Sequence, residues 1–278
     1  MTRVIWYKLF VTASAVALLA VMYAGWLDNS AKDYTEQGLK RVLVTYAVAR
    51  GLNGLISVAQ GTEVSVEPVG IGMTFTPGQI LDPVNDLVEQ FSWLVLASGV
   101  SLGIQRLLIV MTSSMGFTIL VSVMVMMAMA AYWWQKIPRA ASRVLTRIAV
   151  ILLVLRLVIP VIALLNQAVY WYFLQPQYET SQAVLEQSGF ELQQQQASAK
   201  VQVPPQNEAI LDKLKRAYKS ASDAVDIDGR LDRIKQTASD MSERILDLMV
   251  VFLVQSLLFP LLFLWLAYRL LLQLLRLT

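Results

Sequence analysis

Long apolar segments restrict this chain to folds that cross a membrane. A helix needs about 20 mainly apolar residues to cross the roughly 30 Å of hydrocarbon in a bilayer. Four segments approach or exceed that length, namely residues 10–27, 115–134, 148–174 and 245–267. We therefore predict an all-α polytopic membrane protein with four transmembrane helices, because a helix satisfies its own backbone hydrogen bonds in lipid.

The composition agrees with this fold class and excludes several functions. Of the 278 residues, 56% are hydrophobic and only 15% are charged, which excludes a soluble globular protein and a disordered one. The chain has no Cys and no His, so disulfides, thiol nucleophiles, imidazole acid–base chemistry and Cys/His metal sites are excluded. The net charge of +3 is too small to indicate binding of nucleic acid.

Basic residues predict the orientation in the membrane. They are Lys136, Arg139, Arg143 and Arg147 between the second and third segments, Arg3 and Lys8 at the N-terminus, and Arg269 and Arg276 at the C-terminus. The positive-inside rule makes all three regions cytoplasmic. Met22 and Ala24 do not form a small-residue cleavage site, so we expect the first segment to be a retained anchor. The absence of Cys suits a bacterial inner membrane.

This orientation divides the chain into alternating membrane and soluble segments. They are a cytoplasmic tip with the first transmembrane helix (1–27), a first extracytoplasmic segment (28–112), the second transmembrane helix (113–134), a basic cytoplasmic loop (135–147), the third transmembrane helix (148–174), a second extracytoplasmic segment (175–244), and the fourth transmembrane helix with a cytoplasmic C-terminus (245–278). Residues 91–104 are apolar but short for a span, so we predict an interfacial helix there. The alternative is a fifth span, which would reverse the orientation of the residues that follow.

The first extracytoplasmic segment is predicted to contain a helix, a β-hairpin and a second helix. Apolar residues recur at intervals of three and four from Tyr34 to Gln60, which is typical of an amphipathic helix. Alternation of apolar and polar residues within 63–75 predicts the hairpin. In the second helix, Gly99 and Gly103 are small residues four apart that favour close helix packing. A conduit lined by small residues is the alternative.

The second extracytoplasmic segment is predicted to be a flexible link followed by a coiled-coil-like helical hairpin. Residues 187–206 are rich in Gln, which indicates a low-complexity connection. Heptad spacing then places Leu211, Leu214 and Tyr218 on one arm and Leu231, Ile234 and Met241 on the other. Each arm holds only about two heptads, so we expect the hairpin to pack on another element or on a second copy.

Polar residues inside the predicted spans form a further candidate site. Arg156 is the one ionisable residue far from the end of a predicted span, so it should face the protein interior or water. Pro160 and Pro260 each remove a backbone donor from their helix. The predicted intramembrane polar seam consists of Arg156, Pro160, Gln167, Gln255 and Ser256. Either the seam fixes the packing of the third and fourth spans, or it contacts a permeating anion or a lipid headgroup.

No motif indicates catalysis or a bound metal or cofactor. Asp226 to Gly229 resembles part of a calcium loop, but the positions of the first and twelfth ligands hold Ala224 and Lys235. The sequence shows no nucleophile paired with a base, no carboxylate pair and no phosphate-binding loop. We therefore predict no catalytic residue, no metal site and no cofactor.

The sequence favours a non-catalytic function. The leading hypothesis is a homo-oligomeric scaffold or assembly protein of the inner membrane, whose extracytoplasmic helices contact a second copy or another protein. The alternative is an oligomeric channel or pore, with Arg156 or the small-residue helix face near the pathway. An enzyme acting on lipid is a third hypothesis, which no motif supports. The expected partners are the bilayer, a second copy and an extracytoplasmic protein, without nucleic acid.

Overall fold

The computed structural model describes residues 2–60, 64–66, 73–75, 81–134, 138–200 and 227–277. Helices occupy almost all of these residues, which confirms the prediction of a helical chain. The helices are α1 (Thr2–Ala24), α2 (Trp26–Gln60), α3 (Asp82–Thr112), α4 (Met115–Trp133), α5 (Arg139–Val169), α6 (Gln175–Lys200), α7 (Ile227–Leu253) and α8 (Phe259–Leu277). Two π-helical segments, π1 (Tyr170–Leu174) and π2 (Val254–Leu258), join α5 to α6 and α7 to α8.

Two short strands lie between α2 and α3. Strand β1 (Val64–Val66) pairs antiparallel with β2 (Met73–Phe75), and Ser65 is opposite Thr74. Both strands fall within residues 63–75, the stretch in which the sequence alternates.

Within the described residues, five helical stretches are long and apolar enough to cross a membrane, judged by length and composition. They are Ile5–Ala24, Asp82–Thr112, Met115–Trp133, Arg139–Gln194 and Lys235–Arg276. Four of them correspond to the predicted transmembrane segments, and the stretch from Asp82 to Thr112 contains the apolar residues 91–104. The chain is therefore a membrane-embedded helical protein.

The chain forms two compact units. Unit 1 consists of Met1–Val42, Ala97–Leu174 and Phe252–Thr278. Unit 2 consists of Leu43–Leu96 and Gln175–Val251.

Side-chain contacts within unit 1 show the direction of α2. Asp28, at the start of α2, contacts Arg156 in α5. Arg41, further along α2, stacks on Tyr170, which follows α5. The later residue of α2 contacts the later residue along α5 and π1, so α2 runs parallel to α5.

Helices α3 and α4 both run opposite to α5. Arg106 contacts Glu36, and the earlier Gly99 contacts the later Val42, so α3 is antiparallel to α2 and hence to α5. A short connection joins α4 to α5. Thr118, before this connection, contacts Arg156, which lies a similar number of residues after it. Two helices in contact in this way are antiparallel. The chain therefore keeps its direction from α3 into α4.

Glycine allows α2 and α3 to approach closely at one position. A Cβ atom built on Gly99 would lie 2.8 Å from Cγ1 of Val42, which is closer than the two atoms can stand. A Cβ atom on Gly103 would meet no neighbour within 4 Å. Of the two small residues that the sequence marks for packing, the structure places only Gly99 in a tight helix contact.

Four helices of unit 2 each bury one apolar stripe. The buried side chains include Ala49, Leu52 and Ile56 of α2, Val84, Val88, Phe91 and Val95 of α3, Tyr178, Leu185 and Leu192 of α6, and Ala238, Met241, Ile245 and Leu248 of α7. They recur at intervals of three and four on α2, α3 and α7 and at intervals of seven on α6, which is the spacing of a helical bundle. Hydrogen bonds join the helices as well, since Thr45 of α2 donates to Gln182 and Gln177 of α6 donates to Asp247 of α7.

The predicted flexible link over residues 187–206 is helical as far as Lys200, which corrects that prediction. Leu185 and Leu192 bury a stripe that extends into the Gln-rich stretch. The Gln187 amide also donates to Glu191 one turn later, at 3.0 Å. Gln is a good helix former, so a Gln-rich segment with a buried stripe folds as a helix. Residues 201–206 lie outside the described residues.

The predicted heptad hairpin is described only in part. Its first arm, with Leu211, Leu214 and Tyr218, lies outside the described residues. Leu231 and Ile234 belong to α7, but their side chains also lie outside the described part. Met241 is 0% exposed and therefore packs inside its own chain.

We expect Gly99→Ala to destabilise the protein relative to Gly103→Ala, its matched control in the same helix. Both changes raise helix propensity by up to about 1 kcal/mol. Only Gly99→Ala displaces Val42, at a cost of about 1–3 kcal/mol. The free energy of unfolding, measured by SDS titration in mild detergent, should therefore be lower for Gly99→Ala. Adding Val42→Ala should reduce the difference, and equal stability of the two single variants would contradict the close contact.

Candidate functional site

A buried ion pair lies in the interior of unit 1. The guanidinium of Arg156 donates through Nη1 to Oδ1 of Asp28 at 2.8 Å and through Nη2 to Oδ2 at 2.5 Å. Its Nε donates to the hydroxyl of Thr118 at 3.3 Å. Each guanidinium nitrogen therefore has an acceptor, and Arg156 is only 1% exposed.

The ion pair fixes three helices to one another. Removing two charges from water costs several kcal/mol for each ion, and only a well-matched partner with further hydrogen bonds offsets that cost. The two parallel bonds from Arg156 to Asp28 supply this match. Asp28 lies in the first turn of α2, where the partial positive charge of the helix end also favours a carboxylate. The start of α2 is therefore held against α4 and α5.

Sequence reasoning did not find Asp28. The predicted boundary placed this residue in the first extracytoplasmic segment, and no acid was expected beside Arg156. One signal was available, because Asp28 is the first acid in the chain and directly follows the first apolar segment. A buried Arg in a membrane protein is normally paired, so the nearest acid at a span boundary is its natural partner.

Gln255 and Ser256 belong to a second polar cluster, separate from Arg156. The amide of Gln255 donates to the hydroxyl of Tyr34 at 3.1 Å, and both side chains are buried. The hydroxyl of Ser256 lies 2.9 Å from that of Ser98. The predicted seam therefore divides into an ion pair and a neutral hydroxyl–amide cluster.

This second cluster also satisfies a carbonyl that proline leaves free. Pro260 has no N–H group, so it cannot donate to the carbonyl of Ser256, four residues earlier. The hydroxyl of Ser101 donates to that carbonyl at 2.7 Å. The helix is locally π-helical at Ser256, a form common beside functional sites and irregularities. α3 thus replaces a hydrogen bond that the proline removes.

The remaining seam residues lie on α5. Pro160 is buried one turn after Arg156. Gln167 is only half-buried, and the adjacent Asn166 takes the inward position with 2% exposure. Neither polar atom of the Asn166 side chain has a hydrogen-bond partner among the described residues. The inward polar side chain of this turn is therefore Asn166, not Gln167.

A stacked arginine completes the polar interior. The guanidinium carbon of Arg41 lies 3.9 Å from the ring centre of Tyr170 and 6.0 Å from that of Tyr34. Stacking of this kind is favourable by about 0.5–2 kcal/mol, depending on desolvation. Nη2 of Arg41 and Oε1 of Gln105 are buried without a partner among the described residues.

The arrangement is suited to holding helices together. Arg156 and Asp28 neutralise each other's charge, and the second cluster is neutral. Among the described residues, no group of His, Cys, Asp or Glu has a geometry that would hold a metal ion. The chemistry at hand is hydrogen bonding between helices.

A scan against protein-family models finds no family that matches the chain, and no curated protein or solved structure matches it significantly.

We expect Asp28→Asn to destabilise the protein strongly, because it leaves the Arg156 charge buried without a counter-ion. Breaking one side of a buried ion pair costs about 3–5 kcal/mol. Asp33→Asn, an exposed change in the same helix, is the matched control. The free energy of unfolding in detergent should fall for the first variant only.

A double replacement separates the charge effect from packing. Asp28→Leu together with Arg156→Met removes both charges and keeps similar volume, so it should recover most of the stability lost in Asp28→Asn. If Asp28→Asn were no less stable than Asp33→Asn, the pair would not contribute as described.

Proposed function

We propose that the protein is a non-catalytic scaffold or assembly component of a bacterial inner membrane. The observation that carries this proposal is the complete internal pairing of Arg156 with Asp28 and Thr118. A charge that served a substrate or a permeating ion would be expected to face a cavity or water. Here it stabilises the helix arrangement, which is the role of a polar residue in a scaffold.

Long helices support the same proposal. α5, π1 and α6 follow one another without a break from Arg139 to Lys200. This stretch is far longer than the about 20 residues that a bilayer crossing needs. A single helix of this length links membrane-crossing residues to residues outside the bilayer, where contact with a partner is expected.

We further propose four crossings, with both termini in the cytoplasm. The shared direction of α3 and α4 supports this topology, because two successive helices that run the same way add no reversal. Arg139, Arg143 and Arg147 are all exposed, as expected of a basic cytoplasmic loop and its adjoining turns. On this proposal α4 completes the crossing, and the apolar part of α3 lies at the outer interface.

Cysteine labelling tests the topology directly, because the chain has no native Cys. In intact spheroplasts, a membrane-impermeant maleimide should label Glu89→Cys but not Ala140→Cys, and both should react after lysis. Both substituted residues are exposed in the folded chain. A fifth span through α3 would place them on the same side, so equal labelling of intact cells would overturn the four-crossing topology.

The proposed contact surface is the heptad hairpin, apart from Met241. Met241, on the second arm, is buried within its own chain. The proposed residues for self-association or partner contact are therefore Leu211, Leu214, Tyr218, Leu231 and Ile234. Leu214→Glu should therefore dissociate the assembly without unfolding the chain. Met241→Glu should instead unfold unit 2, because it places a charge in the core.

The mass of the protein in native nanodiscs, corrected for bound lipid, tests the homo-oligomeric part of the proposal. We expect more than one copy for the natural chain and one copy for Leu214→Glu. A monomeric natural chain would remove self-association and leave contact with a different protein.

An oligomeric channel is the second candidate, and one surface favours it. Within unit 1, α2 exposes Asn29, Asp33, Gln37 and Lys40 at helical spacing. Most exposed large side chains elsewhere in unit 1 are apolar. A ring of five or more copies with ion conductance, and altered ion selectivity in Asp33→Asn, would favour a pore along this polar face over one beside Arg156.

A further inference from the structure

A cavity of about 560 Å³ lies between α1, α4 and α5, within unit 1. This volume is in the range of sites that hold a small molecule. Neither polar cluster of the interior belongs to it, since Arg156, Gln255 and Ser256 are absent from its lining. The cavity is therefore a separate feature of the unit.

The two ends of the cavity differ in chemistry. Arg143, Ser142 and Thr146 line one end, on the first turns of α5. Leu153 and Val125 line the other end, where no charged side chain occurs. Arg143 and Leu153 are ten residues apart on one helix, which corresponds to about 15 Å. The cavity thus has a cationic, hydroxyl-bearing end and an apolar end at the spacing of a headgroup and part of an acyl chain.

The residues around the cationic end strengthen this charge pattern. No acidic side chain lines the cavity. Tyr7 and Tyr132 line the same cavity, and Tyr rings favour the depth of lipid headgroups. Lys8 is half-buried, with its ammonium 5.2 Å from the ring centre of Tyr132, so a second cation lies beside this end.

We propose that this cavity binds one anionic phospholipid. The phosphate lies at the guanidinium of Arg143, with the hydroxyl of Ser142 as a further donor. One acyl chain follows the apolar wall past Ala149 to Leu153. Charge complementarity selects an anionic over a zwitterionic lipid, and the apolar wall selects a lipid over a free anion.

Binding to purified, delipidated full-length protein tests the proposal. Phosphatidylglycerol in mixed micelles should bind saturably at about one molecule per chain, and phosphatidylcholine should bind at least about fivefold more weakly, as expected for about one favourable cationic contact. Inorganic phosphate alone should not compete at millimolar concentration. Equal binding of the two lipids would mean ordinary surrounding lipid, and competition by phosphate would mean a free-anion site. Either result would overturn the proposal.

Two matched pairs of variants locate the site. Arg143→Gln should weaken phosphatidylglycerol binding about fivefold, whereas Arg139→Gln, an exposed change on the same helix outside the cavity, should have little effect. Ser14→Phe should block the acyl end without altering charge, and the exposed Ala17→Phe is its control. Thermal unfolding of all four variants checks that they are folded. Equal losses within each pair would show that binding is not at this cavity.

Discussion

The arrangement of unit 1 depends on neutralising one buried charge. Arg156 lies near the middle of an apolar helix, and its side chain is buried. The desolvation free energy of an unpaired guanidinium there would exceed the free energy gained by packing around it. Its counter-ion, Asp28, is distant in sequence, so the pair forms only when the start of α2 reaches the middle of α5. Thr118 adds the third acceptor and brings α4 to the same point. The need to neutralise Arg156 thereby sets the relative register of three helices. Apolar side chains alone would specify this register poorly in a membrane, because lipid tails are equally apolar.

The second polar cluster supplies a hydrogen bond that the backbone of the same interior lacks. Pro260 interrupts a helix that must keep its hydrogen bonds where water is scarce, and the local π-helix changes the path of the backbone just before it. Ser101 satisfies the carbonyl of Ser256, while Tyr34 accepts from Gln255. These groups are neutral, so they hold helices together without the desolvation cost that accompanies the ion pair. The charge pair fixes the register of the helices, and the neutral hydroxyls satisfy the backbone carbonyl that Pro260 leaves without a donor.

Local sequence patterns predicted the elements but not the contacts between distant residues. Apolar length predicts the long apolar helices, and three-and-four spacing predicts the amphipathic helix that forms part of α2, because both signals are confined to one helix. The seam residues Gln255 and Ser256 are buried, and their partners lie on α2 and α3, which no local spacing encodes. The composition of the Gln-rich stretch after Gln187 predicts a link, whereas the apolar stripe at Leu185 and Leu192 stabilises a helix there. Side-chain packing also decided between Gly99 and Gly103, which are equivalent in the sequence pattern.

Unit 1 buries a pair of charged side chains, Asp28 and Arg156, and unit 2 buries no charged side chain among its described residues. Both units also bury aliphatic residues, such as Ile56 and Leu248 in unit 2 and Leu102 and Ile109 in unit 1. Unit 1 buries Arg156, small residues and hydroxyls such as Ser122, and exposes many large apolar side chains. Exposed apolar side chains are expected where lipid surrounds helices, and close packing with hydrogen bonds then holds the helices together. A surrounding bilayer would also supply the ligand proposed for the cavity of unit 1, since an amphipathic molecule matches both its basic end and its apolar wall.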